Sequence, residues 1–143
     1  NIIPNMAVPS TDDIHIPLLN YISDGELHTL TGCVLHLQKY FELTKDEKIQ
    51  VTSKIRKKQL KYSYVPLILT DFYVRVQLAV TNFRNAKPKS FLRDLPGTKS
   101  IGVFLISNEG MELLKLPKSE RLEKMRKAKN LRTKINKGKR SKK

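Results

Sequence analysis

Apolar residues recur at helical spacing in three stretches of the chain. A period of three to four residues places such positions on one face of a helix, so each stretch predicts an amphipathic helix. The apolar positions are Ile14, Leu18 and Ile22 in the first stretch, Val34, Leu37 and Phe41 in the second, and Val76, Ala79, Phe83 and Ala86 in the third. The pattern therefore predicts helices that share one core.

The residues at the ends of these stretches are typical of helix boundaries. Ser10 and Asp13 have capping-box spacing, while Pro17 predicts that regular hydrogen bonding begins near His15. The Asp24-Gly25 pair predicts a turn after this helix. Further caps are predicted at Thr31 for the second helix, at Thr44 with Glu47 for a short helical turn, and at Thr70 with Asp71 for the third helix, which Pro88 ends.

Three other segments have the composition of strands. Glu26–Leu30 alternates polar and apolar residues and predicts a short edge strand. Phe91–Leu95 and Ile101–Ile106 are rich in β-branched and aromatic residues and predict a hairpin with a basic tip, Pro96–Ser100. Helical turns at Met111–Leu114 follow the hairpin.

Together these elements predict an α+β fold: a winged helix-turn-helix with three or more helices, a small antiparallel β-wing and a basic C-terminal tail. A length of 143 residues suits one domain, which we place at Val8–Leu114, with Lys115–Lys143 as the tail. The segment Gln50–Leu69 is left unassigned, because a basic stretch is followed by an apolar run that Pro66 interrupts.

The formal net charge of +15 is concentrated in the tail. Residues 1–114 hold 14 Lys and Arg against 11 Asp and Glu, whereas residues 115–143 hold 14 against 2. The tail has too little apolar surface to fold alone, so we expect a partly helical or disordered linker. Its charge predicts attraction to nucleic acid, either DNA or RNA, and the alternative is a solubilising extension.

Several classes of protein are excluded by what the sequence lacks. No run of about 18 apolar residues predicts a membrane span, and the first residues lack the layout of a secretory signal. The single cysteine, Cys33, is typical of a reducing compartment. We therefore expect a cytoplasmic protein, associated with the nucleoid if the source is bacterial.

Candidate chemistry is sparse. His28, Cys33 and His36 could begin a zinc site, but a closed site needs four ligands and no fourth is evident, so a small buried Cys33 is the preferred interpretation. No phosphate-binding glycine loop or Ser-His-Asp arrangement is visible. We expect no enzyme activity, no metal and no cofactor in this chain.

The third helix and the hairpin carry the candidate binding residues. Gln77, Thr81, Arg84 and Asn85 form an arc away from the apolar face, where they could reach DNA base edges; the alternative is an ordinary solvated face. Lysines and arginines beside a helix end or on a wing meet phosphates without sequence preference, and their alternative role is solubility. These backbone candidates are Lys87, Lys89, Arg93 and Lys99.

Three sequence segments between Val8 and Leu114 resemble, in their order along the chain, the N-terminal winged-helix domain of Mrr-type restriction proteins. The matching phrases are VPSTDDIHIPLLNYISDGELHTL, VRVQLAVTNFRNA and GVFLISNEGMELL. Arg75, Ala79 and Phe83 stand where the family's recognition helix has an arginine, an alanine and a leucine. Leu78 departs from the family, which commonly has an aromatic residue there.

The resemblance implies a DNA-binding module, the target-recognition part of a restriction or defence protein. Arg75 would then contact a DNA phosphate or anchor a nearby carboxylate. Family members often carry a PD-(D/E)XK nuclease domain, but the only acids after Leu114 are Glu120 and Glu123. We therefore expect no nuclease domain in this chain. Such a domain was removed from it, lies on a partner, or never existed.

Two further expectations concern assembly. A homodimer would add affinity and read paired half-sites on double-stranded DNA. The alternative function is a protein-interaction or assembly adaptor whose tail binds RNA or another acidic surface.

Overall fold

The computed structural model describes residues 8–51, 66–87, 89–94 and 102–127. Over these residues the protein is an α+β fold of helices around a small antiparallel sheet. The helices are α1 (Thr11–Tyr21), α2 (Leu30–Tyr40), α3 (Lys45–Ile49), α4 (Asp71–Arg84), α5 (Asn108–Lys115) and α6 (118–127). The strands are β1 (His28–Thr29), β2 (Leu92–Arg93) and β3 (Val103–Ile106), and Leu67–Leu69 form a 3-10 turn.

Short polar side chains begin the helices. Ser10 Oγ accepts a hydrogen bond from the backbone N–H of Asp13 at 3.2 Å, and Thr70 Oγ1 accepts one from Tyr73 at 3.3 Å. Thr44 forms a full capping box, because the side chain of Glu47 also accepts from the Thr44 N–H. Each bond satisfies a donor that the first helical turn leaves open. The predicted caps at these positions are confirmed.

Two predicted helix starts are wrong. The cap of α2 is Thr29 rather than Thr31, because the earlier start carries Leu30 into the core, where it is 5% exposed. α1 begins at Thr11 rather than near His15, with Pro17 inside the helix. Pro17 removes one backbone donor, but the Ser10 cap and the acidic first turn stabilise the residues before it.

The sheet has strand order β1-β3-β2, with both pairs antiparallel. Thr29 pairs with Val103, and Leu92 pairs with Ile106. The Leu30 N–H extends the first pairing by donating to the Gly102 carbonyl at 2.8 Å. All three strands are shorter than the segments Glu26–Leu30, Phe91–Leu95 and Ile101–Ile106 predicted, and residues 95–101, including the predicted basic tip, lie outside the described residues.

α4 lies in the centre of the core. Its residues Phe72, Val76, Ala79 and Phe83 have no exposed surface, and α1 and α2 both pack against them. Burial of several large side chains along one face fixes the rotation of α4 about its axis. Within the described residues, no helix has the length and apolar character needed to cross a membrane.

α5 approaches the sheet through a glycine. A Cβ atom at Gly110 would lie 2.5 Å from the carbonyl oxygen of Phe91 and 2.7 Å from the side chain of Ile106. Gly110 also donates its N–H to the Ser107 side chain, which caps α5. The close contact therefore depends on the absence of a side chain at this position.

Candidate nucleic-acid interface

The side of α4 opposite the core is largely exposed, with Thr81 partly buried. At about 100° per residue, the positions three, four, seven and eleven residues after the first align on one face of a helix. This outward stripe consists of Val74, Gln77, Leu78, Thr81 and Asn85. Val74 is 45% exposed and Leu78 is 48% exposed. No member of the stripe carries a charge.

The polar members of the outward stripe differ in whether their side chains already form hydrogen bonds within the protein. Gln77 and Asn85 are exposed, and neither side chain forms a hydrogen bond with another described residue. Thr81 Oγ1 donates to the Gln77 carbonyl at 3.0 Å, so its hydrogen is used inside the helix. Gln77 and Asn85 therefore keep all their donors and acceptors for a ligand, while Thr81 keeps only acceptor capacity.

Arg84, predicted as a base-edge residue, is held by the protein itself. Its Nη2 atom lies 2.9 Å from Oδ1 of Asp94, just after β2, and its guanidinium lies 5.8 Å from the ring centroid of Phe104. The side chain is only 25% exposed. These contacts connect the end of α4 with the sheet.

Arg75, predicted as a backbone-contacting residue, is also engaged internally. Its Nη1 atom donates to the carbonyl of Val8 at 2.6 Å and to that of Pro9 at 3.1 Å. Arg75 therefore fixes the residues before α1 against α4. Within the part of the chain that the structure describes, Arg75 forms no ion pair with a carboxylate, and these two carbonyls hold its guanidinium.

Three predicted backbone candidates are exposed and follow α4 in the chain. Lys87 and Lys89 lie in the connection to β2, and Arg93 lies on β2. None of the three forms an ion pair within the described residues. We call Lys87, Lys89 and Arg93 the basic edge. The fourth candidate, Lys99, lies outside the described residues.

The start of α4 is fixed by the segment that the sequence left unassigned. The backbone N–H of Asp71 donates to the Gln50 carbonyl at 2.7 Å, and Gln50 Nε2 donates to Asp71 Oδ2 at 2.9 Å. On the α1 side, His15 is buried, lies 5.1 Å from Phe83 between ring centroids, and is 3.3 Å from the amide of Asn82. α4 is thus held at both its first turn and its last.

The residues considered for zinc have separate roles. His28 Nε2 lies 2.8 Å from Asp24 Oδ1, which is the main reason that the pKa of Asp24 is lowered. The His36 ring stacks on Tyr21 at 3.8 Å between centroids, and Cys33 is buried. Among the described residues, no three His, Cys, Asp or Glu side chains are grouped so that they could share a metal ion.

The predicted binding arc contains only polar residues and therefore omits two members of the outward stripe, Val74 and Leu78. The signal was present in the sequence. At about 100° per residue, both lie opposite Val76 and Phe83.

Searches against profiles of protein families, characterised proteins and solved structures gave no match to this chain.

Proposed function

We propose that this chain is a winged-helix DNA-binding module that docks α4 in the major groove. Support comes from the order of elements, in which one strand lies between α1 and α2 and two follow α4, with β3 in the centre of the sheet. That order suits a winged helix-turn-helix, whose recognition helix presents one face to DNA. The segment Leu95–Ser100, which lies outside the described residues, would be the wing that contacts the DNA backbone.

The observation that carries the proposal is the uncharged outward stripe of α4 next to the basic edge. A duplex attracts cations to its phosphates and repels carboxylates, while its base edges offer hydrogen-bond partners and methyl groups. The stripe has no carboxylate, and Lys87, Lys89 and Arg93 have no ion-pair partner among the described residues. Both parts of a groove-binding surface are therefore available.

The residues divide by the contact each can make. Gln77 and Asn85 would read base edges, with adenine as the base that offers an amide two matching positions. Arg84 would have to leave Asp94 before it could contact guanine, and Arg75 is better suited to positioning the residues before α1. The basic edge, Lys99 and the tail would bind phosphates.

The wider setting follows from the resemblance to Mrr-type restriction proteins. On that basis the chain is the target-recognition part of a restriction or defence system. A nuclease domain or subunit would supply cleavage, and a homodimer would read two half-sites in succession.

A second candidate function is a protein-interaction adaptor. It is favoured by Leu35 and Tyr40, which are 49% and 59% exposed on α2 and belong to neither the core nor the outward stripe. Large exposed apolar side chains are common at protein interfaces. In this case the basic tail would bind RNA or an acidic partner.

The test is selection of a preferred duplex from a random-sequence pool by the full chain, followed by measurement of Kd for the selected and a scrambled duplex. Replacing both Gln77 and Asn85 by Ala removes the amides expected to contact bases. We expect the double variant to bind the selected duplex about 5-fold to 100-fold more weakly, the effect of losing a two-pronged base contact. Binding to the scrambled duplex should change little.

Asn20→Ala provides the matched control, because Asn20 is an exposed amide on α1, away from the outward stripe. This variant should keep the affinity and preference of the wild-type chain. If no sequence is enriched, or if the Gln77 and Asn85 double variant keeps the full preference, α4 does not read DNA and the adaptor becomes the better interpretation.

A further inference from the structure

Val74 and Leu78 are the most exposed apolar side chains on α4. They lie one turn apart on the outward stripe, on the opposite side of the helix from the buried Val76 and Phe83. Neither is needed for the core, and each exposes nearly half of its side chain to water. An apolar pair among the amides and the hydroxyl of the outward stripe suits a ligand that has apolar groups among polar ones.

The major groove offers such a ligand at one type of base pair. Adenine presents a donor and an acceptor there, and its partner thymine presents the C5 methyl group. An amide and an apolar side chain next to each other can therefore contact the two halves of an A·T pair. Val74 and Gln77 are three residues apart, which makes them neighbours on the outward stripe, and they form this combination.

The charges around the outward stripe favour DNA over an apolar protein surface as the occupant. The basic edge follows the stripe in the chain, and its three cations have no ion-pair partner among the described residues. A protein groove that accepts Val74 and Leu78 would have to supply acids for these cations as well. A duplex supplies phosphates on both sides of every major groove.

We infer that Val74 and Leu78 read the C5 methyl groups of thymine, so that α4 selects A·T-containing sites. The inference rests on the proposed docking of α4 in the major groove. Four residues of helix rise by about 6 Å, so the two side chains reach different base pairs. The preferred site then holds thymines one or two base-pair steps apart, next to an adenine contacted by Gln77.

The experiment removes only the methyl groups. The duplex selected by the full chain is synthesised with thymine and again with deoxyuridine at every thymine, which leaves base pairing unchanged. We expect the wild-type chain to bind the thymine duplex about fourfold more tightly for each contacted methyl group, the factor expected for burying a group of that size. Leu78→Ala and Val74→Ala should each lose about one such factor.

Leu27→Ala is the matched control, because Leu27 is 48% exposed, as is Leu78, but lies between α1 and β1. It should keep the full difference between the two duplexes. Equal binding of both duplexes by the wild-type chain overturns the inference, as does a difference that Leu78→Ala and Val74→Ala leave unchanged, since the methyl groups would then act through DNA shape.

Failure of this inference is distinguishable from failure of the proposed function. If the Gln77 and Asn85 double variant loses the sequence preference while thymine and deoxyuridine bind equally, α4 reads DNA without methyl contacts and only the inference falls. If none of the α4 variants changes binding to duplex DNA, both fall together, and the outward stripe belongs to a protein partner.

Discussion

At the scale of single residues, burial changes the acidity of the Cys33 thiol. The side chain lies on α2 with no exposed surface, and burial raises the pKa of its thiol to about 12. Burial disfavours the charged thiolate, since the core offers no solvation for it. The thiol is therefore a packing group, and it is a poor nucleophile at neutral pH.

This pKa makes stability depend on pH in the alkaline range. The thiol pKa is about 12 in the folded protein and close to 9.0 in the unfolded chain, so the unfolded chain loses the proton first as pH rises. The stabilisation is full below pH 9 and falls above it, by about 1.4 kcal/mol for each pH unit between the two values. Denaturant unfolding at several pH values measures this loss.

Cys33→Ala isolates the contribution of the thiol, because every other ionisable group is shared by the variant and the wild type. The variant should be less stable than wild type at neutral pH because it leaves a small cavity, and the difference should shrink as pH rises above 9. A difference in unfolding free energy that stays constant with pH would contradict a buried, protonated Cys33.

The partners of the two arginines of α4 could not be predicted from the sequence. Arg75 and Arg84 both read as surface cations, yet Arg75 binds carbonyls 66 and 67 residues away and Arg84 pairs with Asp94. Such partners become neighbours only through the tertiary fold. Val74 and Leu78 were predictable in principle, since helical spacing alone places them opposite the core.

At the scale of elements, the contact of α5 with the sheet depends on Gly110. Gly110→Ala would press a methyl group against the backbone of Phe91 and the side chain of Ile106. Because backbone cannot move aside as a flexible side chain can, we expect a loss of about 1–3 kcal/mol in the free energy of unfolding. Urea denaturation of the variant and the wild type measures the loss.

Gly102→Ala is the control for this substitution. A Cβ atom at Gly102 would meet nothing within 4 Å, so the free energy of unfolding should change by no more than about 0.5 kcal/mol. Equal effects at the two glycines would show that the close approach of α5 contributes nothing to stability.

Three helix caps could be predicted and the strand lengths could not, although the cap of α2 is Thr29 and not the predicted Thr31. The cap at Ser10, the capping box at Thr44 and the cap at Thr70 are bonds between residues three positions apart, so local sequence contains all the information. The length of a strand depends on its partner. Thr29 pairs with Val103 from the other end of the domain, and no local pattern reveals where that pairing stops.

At the scale of the whole molecule, half of the Lys and Arg residues lie in the tail and none belongs to the stripe proposed to read sequence. The outward stripe is uncharged, and residues 115–143 hold 14 of the 28 Lys and Arg. Phosphate contacts give affinity without sequence information, whereas base contacts give preference. The two properties should therefore respond to different substitutions.

Replacing Lys137, Lys139 and Arg140 by Gln tests this separation. We expect the slope of log Kd against log salt to decrease by about 0.9 for each cation that contacts a phosphate, with the ratio of selected to scrambled binding unchanged. Replacing Lys39, Lys45 and Lys48 on α2 and α3 lowers the net charge equally. If both triple variants change the slope alike, net charge rather than the tail governs affinity.

The central position of β3 has a consequence for the order in which the chain folds. β2 pairs with β3 across a short connection, but β1 pairs with β3 from about half the chain away. Closing the longer loop costs more entropy and is compensated only late, so β1 should be the last strand to join the sheet. In pulse-labelled hydrogen exchange, the Leu30 amide, which donates to Gly102, would then become protected after those of β2 and β3. Early protection of Leu30 would instead place β1 in the folding nucleus.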